Sequence, residues 1–347
     1  LTRGGDVRVA LIGYGYAAKT FHAPLVASAP GLALQVVASS DAAKVHADLP
    51  GVRVVATPAA VWADRTIDLV VIATPNDTHF SLAAAALESG KHVVVDKPFT
   101  ISVAEARELA ALATRADRLL SVFHNRRYDA DFLTVRRLLA GGALGRLVSF
   151  ESRFDRFRPA VRERWRESAT PGAGLWYDLG PHLVDQTLQL FGYPQSVYAD
   201  FATLRDRARA VDYFHVLLAY ERLRVVLHAS TLAAEAGARF ALHGTSGSYV
   251  KRGLDVQEDA LKAGRLPNEA GFGDDPEAGV LTHFDGSVRV TERIANERGD
   301  YGRYYAGIRD ALTAAGPNPV PVDQAIDVMR VIEQGLTSEA ATERTAR

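Results

Sequence analysis

Val7-Arg8-Val9-Ala10-Leu11-Ile12-Gly13-Tyr14-Gly15-Tyr16-Ala17-Ala18 is the stretch that decides the fold. Apart from Arg8, residues 7–12 form a continuous apolar run of strand length, the pattern of a strand buried on both faces in a parallel sheet. The run passes straight into G-x-G-x-x-A. Glycine at 13 permits a tight turn, glycine at 15 lets the backbone approach a pyrophosphate, and small Ala18 lets the next helix pack on the strand. Phosphate then sits at a helix N-terminus. A lone match of this kind is as easily an ordinary glycine turn. A strand before it and a helical pattern after it make Gly13, Tyr14, Gly15, Tyr16, Ala17 and Ala18 the first candidate cofactor-binding set.

The rhythm around this stretch agrees. Leu34 to Ser39, Val52 to Val55, Ile67 to Ala73, His92 to Val95 and Leu119 to Phe123 read as further strands, and Phe80 to Glu88 and Val103 to Arg115 as helices between them. Strand and helix in alternation predict an α/β fold, a doubly wound parallel sheet (Rossmann) over residues 1–124. Beyond His124 the style changes. A helix at about Asp131 to Leu139 is followed by period-2 alternation through Val148, Phe150, Ser152 and Phe154. The same style continues in Val197 to Leu204, Tyr213 to Tyr220, Arg224 to Thr231 and Arg239 to Gly244, with Glu221-Arg222 as a hairpin turn. Helices are expected over Trp176 to Phe191 and Asp323 to Ser338, and an exposed loop over 263–279. Residues 125–347 therefore predict a C-terminal α+β domain on a largely antiparallel sheet.

Composition narrows the function. A chain of 347 residues is too long for one comfortable core, so two domains are the natural solution. Hydrophobic residues make up 48% and charged ones 23%, a globular rather than a disordered mix. Forty Lys and Arg against 41 Asp and Glu give no field to draw the protein onto nucleic acid or a membrane, so small molecules are the expected partners. With no cysteine, neither a disulfide framework nor a thiolate nucleophile is possible. No spacing of His, Asp and Glu suggests a metal. The polar start, Leu1 to Asp6, has no signal-peptide core, and no apolar run approaches about 18 residues, which predicts a cytoplasmic protein.

Ligands of open α/β sheets bind beyond the carboxyl ends of the strands. At the end of the second strand Ser39, Ser40 and Lys44 suit the 2′-phosphate of NADP, whereas Asp41, one position of slippage away, would suit the ribose of NAD. NADP is the preferred expectation, NAD the alternative. The fourth strand ends in Thr74-Pro75-Asn76 with His79 close behind, and the fifth in Asp96-Lys97-Pro98. All of these are candidate cofactor-binding residues, and Asn76, Asp77 or Thr78 equally suits a helix cap.

Taken with Gly174-Leu175-Trp176-Tyr177-Asp178-Leu179-Gly180-Pro181-His182, these motifs resemble the Gfo/Idh/MocA oxidoreductases along essentially the whole chain. Phe123-His124-Asn125-Arg126-Arg127, Phe154 to Pro159 and Val211 to His215 look closest to the branch holding NADP-dependent scyllo-inositol dehydrogenases and YdgJ-like proteins. The resemblance implies that Lys97, Asp178 and His182 form the catalytic group. It also implies that the open sheet of the second domain makes a dimer or larger homo-oligomer. Asp96 stands where the family usually has Glu. The residue chemistry is compatible: His182 titrates where a general base is useful, Asp178 lies four residues earlier, on the same face of a helix, and Lys97 can polarise an oxygen. Pro181 leaves open whether the helix has begun by then.

Asn125, Arg126 and Arg127 either reach the substrate or form a hydrogen-bond cluster at the domain boundary. Trp165 and Trp176 either stack on a sugar ring or belong to the core. From Glu151 to Glu167, six arginines (Arg153, Arg156, Arg158, Arg162, Arg164 and Arg166) are interleaved with four acids (Glu151, Asp155, Glu163 and Glu167), a pattern that favours a salt-bridged, solvated segment over an anion clamp. Candidate substrate-binding residues are thus Asn125, Arg127, Trp165, Asp178 and His182, for a sugar or cyclic polyol losing hydride from a hydroxyl-bearing carbon. The alternative is an inactive dinucleotide-binding sensor of the same fold; a glycosidase acting by transient oxidation has no sequence feature in its favour.

Overall fold

In the computed structural model, residues 5–345 are described, with side chains to 338. Leu1 to Gly4, part of the polar start, lie outside the described residues. Six strands, β1 (Val7–Ile12), β2 (Leu32–Ala38), β3 (Arg53–Val55), β4 (Leu69–Ile72), β5 (His92–Val95) and β6 (Leu120–Val122), form one sheet in the order β3-β2-β1-β4-β5-β6. Every pairing in it is parallel. β1, β4 and β5 are buried almost throughout, which is why their sequences are runs rather than alternations. The strand order reverses between β1 and β4, the crevice where doubly wound sheets hold ligands.

Eight more strands make a second sheet: β7 (Leu147–Arg153), β8 (Ser196–Ala202), β9 (Tyr213–Ala219), β10 (Arg224–Ser230), β11 (Phe240–Gly244), β12 (Gly247–Lys251), β13 (Gly279–Asp285) and β14 (Val288–Ile294). Their order is β14-β13-β12-β11-β7-β10-β9-β8, antiparallel except for β7 with β10. The strands expected from the sequence stop at Gly244, and β12 to β14 lie beyond them: Val288–Ile294 is exposed along most of its length.

The helices are α1 (Ala23–Ala27), α2 (Ala42–Asp48), α3 (Ala59–Trp62), α4 (His79–Glu88), α5 (Val103–Ala116), α6 (Ala130–Ala140), α7 (Gly174–Phe191), α8 (Gln257–Lys262), α9 (Gly302–Thr313) and α10 (Val322–Thr345). The expected loop over 263–279 lies between α8 and β13 except for Gly279, which begins β13, and Phe272 within it is fully buried.

The chain divides into two compact units by its internal contacts. The first unit joins residues 1–128 to 257–272 and 300–326; the second holds 129–256, 273–299 and 327–347. The added segments belong to the first unit for physical reasons. Fully buried Gln257 donates to the Tyr128 carbonyl and accepts from the Tyr301 amide. Tyr304 donates to Ser121 on β6, and the rings of Phe123, Tyr304 and Tyr305 pack together. The core of the second unit sits under one face of its sheet, around Phe150, Trp176, Phe214 and Phe240.

Candidate active site

In the first unit the chain turns at Gly13, whose φ of 87° favours glycine. A Cβ there would also lie 2.8 Å from Thr74 Cγ2 and 2.9 Å from the Ala73 carbonyl oxygen, so the exit of β1 closes directly against the exit of β4. Gly15 is different. A Cβ on it would meet nothing within 4 Å, so neither packing nor a left-handed backbone demands glycine there. The open approach fits a dinucleotide phosphate at the helical turn beginning at Tyr16, where Lys19 N donates back to Gly15 O. Ala18 is fully buried and starts a π-helical stretch, Ala18–His22. Tyr14 turns inward to donate to Asp48, and burial, with Asp48 beside it, raises its phenol to about 12. Tyr16 is half exposed and donates to Glu258 at 2.6 Å.

At the end of β2, Ser39 is half-buried while Ser40 and Lys44 are exposed. Asp41 caps α2, its carboxylate accepting from Lys44 N at 2.9 Å. Beyond β4, Asn76 is buried and begins a 3-10 turn that leads into α4. His79 is fully buried, with Nδ1 2.9 Å from the Pro98 carbonyl oxygen and Nε2 3.1 Å from that of Thr74. Burial depresses its pKa. Its placement corrects the expectation of direct cofactor contact: His79 ties the exit of β4 to that of β5 through backbone carbonyls.

Lys97 follows β5, half-buried, and its amide donates to Asp96 Oδ1 at 2.9 Å. Behind Asp96 lies a residue the sequence did not single out. His22 is wholly buried, with Nε2 3.7 Å from Asp96 Oδ1 and Nδ1 2.6 Å from the Tyr305 hydroxyl. Burial works to raise the Asp96 pKa, but His22, Lys97 and His79 together hold it low. An apolar-looking helix start, Thr20 to Ala23, gives no hint of this role.

Asn125, Arg126 and Arg127 are all at least nine-tenths buried in the first unit. Arg126 pairs with Glu258, and Arg127 donates to Gln324 at 2.7 Å and to the Pro319 carbonyl. The structural reading of Arg127 therefore replaces the substrate-binding one, since its guanidinium is tied into its own unit.

In the second unit α7 is already helical from Gly174, so Pro181 lies inside it and Asp178 and His182 are successive-turn neighbours on one face. The motif's other residues build that helix. Gly174 has a φ of 87°, and a Cβ on it would lie 3.2 Å from the Val211 backbone. Trp176 is 1% exposed, packs on Phe201 and Phe214, and donates to the Ile332 carbonyl, so it is core rather than a sugar platform. Gly180 leaves room for that indole, because a Cβ there would come within 2.5 Å of it. Asp178 faces two arginines, Arg156 and Arg166, each 3.6 Å away. Trp165 lies under the Arg166 guanidinium at 4.4 Å, which removes one ring face from sugar stacking. No group of His, Asp and Glu suited to a metal occurs among the described residues, and no helix there is long and apolar enough to cross a membrane.

Residues 7–124 match the oxidoreductase-family NAD-binding Rossmann fold and residues 136–345 its C-terminal alpha/beta domain. The chain belongs to the Gfo/Idh/MocA oxidoreductase family. It is 58% identical to YdgJ, an uncharacterized oxidoreductase of Escherichia coli strain K12, over 96% of each chain. It is 38% identical to IolW of Bacillus subtilis strain 168, named a scyllo-inositol 2-dehydrogenase (NADP(+)), over 96% of this chain and 93% of that one. The solved structure of yvaA from Bacillus subtilis superposes with a TM-score of 0.95 at 36% identity, covering 99% of this chain and 98% of that one. As a Gfo/Idh/MocA protein the chain is an NAD(P)-dependent oxidoreductase whose dinucleotide-binding fold is the six-stranded unit.

Proposed function

We propose that this enzyme is an NADP-preferring dehydrogenase of a sugar or cyclic polyol. The observation that carries the reading is the placement of half-buried Asp178 and buried His182 on successive turns of α7. A nicotinamide, when bound, accepts the hydride. What this chain supplies is the proton chemistry: His182 takes the hydroxyl proton, Asp178 orients the imidazole or holds a neighbouring hydroxyl, and Lys97 polarises the reacting oxygen. In the first unit, Gly15 leaves the pyrophosphate approach clear, Thr74, Pro75 and Asn76 border the crevice, and Asp96 fixes the Lys97 amide.

The cofactor preference rests on the exit of β2. Asp41 is spent as the cap of α2, which leaves Ser39, Ser40 and the Lys44 ammonium to meet a 2′-phosphate. The name of the IolW relative, with NADP and scyllo-inositol in it, supports the same reading. We also place homodimerisation on the open face of the second sheet. Cross-strand register aligns Tyr198, Leu217, Val226, Glu151, Ala241, Val250 and Val280 in one row across seven strands, apolar but for Glu151. None of the seven is fully buried, and Tyr198 is 57% exposed.

Following reduced-cofactor absorbance with scyllo-inositol, myo-inositol, glucose and xylose, under NADP and NAD in turn, tests the assignment. Turnover of a polyol or aldose with NADP is the expected result. Turnover confined to simple hydroxy acids that lack a polyol chain would contradict it.

A further inference from the structure

The cleft beside Asp178 is lined by arginines, and the local charges do not cancel. Glu167 accepts from Arg164 at 2.8 Å and lies 3.2 Å from Arg205, and Asp212 lies 2.9 Å from Arg205, so these two acids and two arginines balance. Three guanidinium groups remain, those of Arg156, Arg158 and Arg166, against the single carboxylate of Asp178. The Arg158 side chain has neither an ion pair nor a hydrogen bond among the described residues. The first turn of α7, at Gly174 and Leu175, also lines the cleft and adds the positive end of an 18-residue helix.

Two of these arginines are held in place before any ligand arrives. Arg156 lies over the Phe154 ring at 4.7 Å and Arg166 over the Trp165 ring at 4.4 Å. Such stacking fixes the guanidinium plane and so lowers the ordering cost of binding. Neutralising Asp178 would need one arginine, not two braced ones and a third unpaired. Partly buried surplus charge is unfavourable unless something compensates it. A neutral polyol offers hydroxyls to these donors but no charge. A carboxylate or phosphate offers both, in the fork geometry that guanidinium groups favour.

We infer that the substrate of this site is an anionic polyol, a ring or chain of hydroxyls bearing a carboxylate or a phosphate that Arg156, Arg158 and Arg166 bind beside Asp178. The inference rests on the dehydrogenase reading above and adds the charge of the substrate to it. The segment from Arg153 to Arg166 is thus not simply solvated and salt-bridged: Arg153 and Arg164 are paired in that way, and these three serve the cleft.

The test compares glucose, glucuronate and glucose 6-phosphate with NADP on the intact protein, at two ionic strengths, for the wild type, Arg158→Ala and Arg166→Ala. At least one charged member should show kcat/KM about tenfold or more above glucose, with a KM that rises with salt. Each variant should lower kcat/KM for that member at least tenfold more than for glucose. Preference for glucuronate alone identifies a carboxylate site, and preference for the phosphate alone a phosphate site. Equal kcat/KM for all three, with equal losses in the variants, overturns the anionic site and leaves the polyol reading standing. Failure of all three, together with the inositols, removes both.

Discussion

At the scale of single residues, the proposed NADP preference is assigned to Ser39. Replacing it with Asp puts a carboxylate where the 2′-phosphate of NADP is proposed to lie and supplies an acceptor for the ribose of NAD. Ser39→Asp should therefore weaken NADP binding about tenfold or more and strengthen NAD. Titration of cofactor by fluorescence quenching checks this. Tight NAD binding by the wild type with none of NADP would instead make Asp41 the ribose ligand. A second residue sets a pH response. His92 Nδ1 accepts the Leu119 amide at 2.9 Å, and burial, then nearby Arg118, lowers its pKa to about 4. A histidine whose folded pKa lies below its unfolded value stabilises the protein above about pH 6.5 and loses that contribution as pH falls toward 4. The loss is about 2 kcal/mol once solvent screening of a half-buried ring is allowed for. His92→Asn should flatten the pH dependence of the urea midpoint between those values. An unchanged slope would show that other groups control it.

At this scale legibility depended on whether a residue's role was local. Gly13 could be read because a tight turn after a strand is a local demand. His79 and Arg127 were placed in the site by their position in sequence, yet their side chains turn onto backbone carbonyls and Gln324. His22 escaped notice because its partners, Asp96 and Tyr305, are 74 and 283 residues away along the chain.

At the scale of elements, α7 shows how a glycine can be required inside a helix. In an exposed helix Gly→Ala stabilises by about 1 kcal/mol. At Gly180 the new methyl would run into Trp176, which is fixed by its bond to Ile332 O and has Gly335 so near its ring that a Cβ there would lie 3.3 Å from it. Gly180→Ala should thus lower stability by about 2 kcal/mol, the usual range for an overpacked core, read as a lower urea midpoint. A midpoint unchanged or raised would mean that the indole moves freely. The strands of the first sheet were readable because burial on both faces writes a continuous apolar run. β14 was not, because a mostly exposed edge strand places no such constraint on its residues.

At the scale of the whole molecule, segments far apart in sequence share a compact unit, and the first unit is completed by residues 257–272 and 300–326. A composition shift marks where a pattern changes; it does not register a chain that returns. The buried polar staple at Gln257 is what a linear reading lacks. Assembly belongs to this scale as well. If the row through Leu217 and Val226 is the contact, the wild type should sediment as a dimer, and Val226→Lys should shift it toward monomer at micromolar concentration with its far-UV spectrum preserved. A wild type that sediments as monomer would contradict that placement.

The central claim is the proposal that His182 on α7 takes the substrate's hydroxyl proton. Its most direct test is the rate of NADPH formation with the best polyol substrate, wild type against His182→Ala, alongside NADP affinity for each. The account predicts a loss of about 10²- to 10⁴-fold in kcat with NADP binding nearly unchanged. A His182→Ala rate within a few-fold of wild type would contradict it.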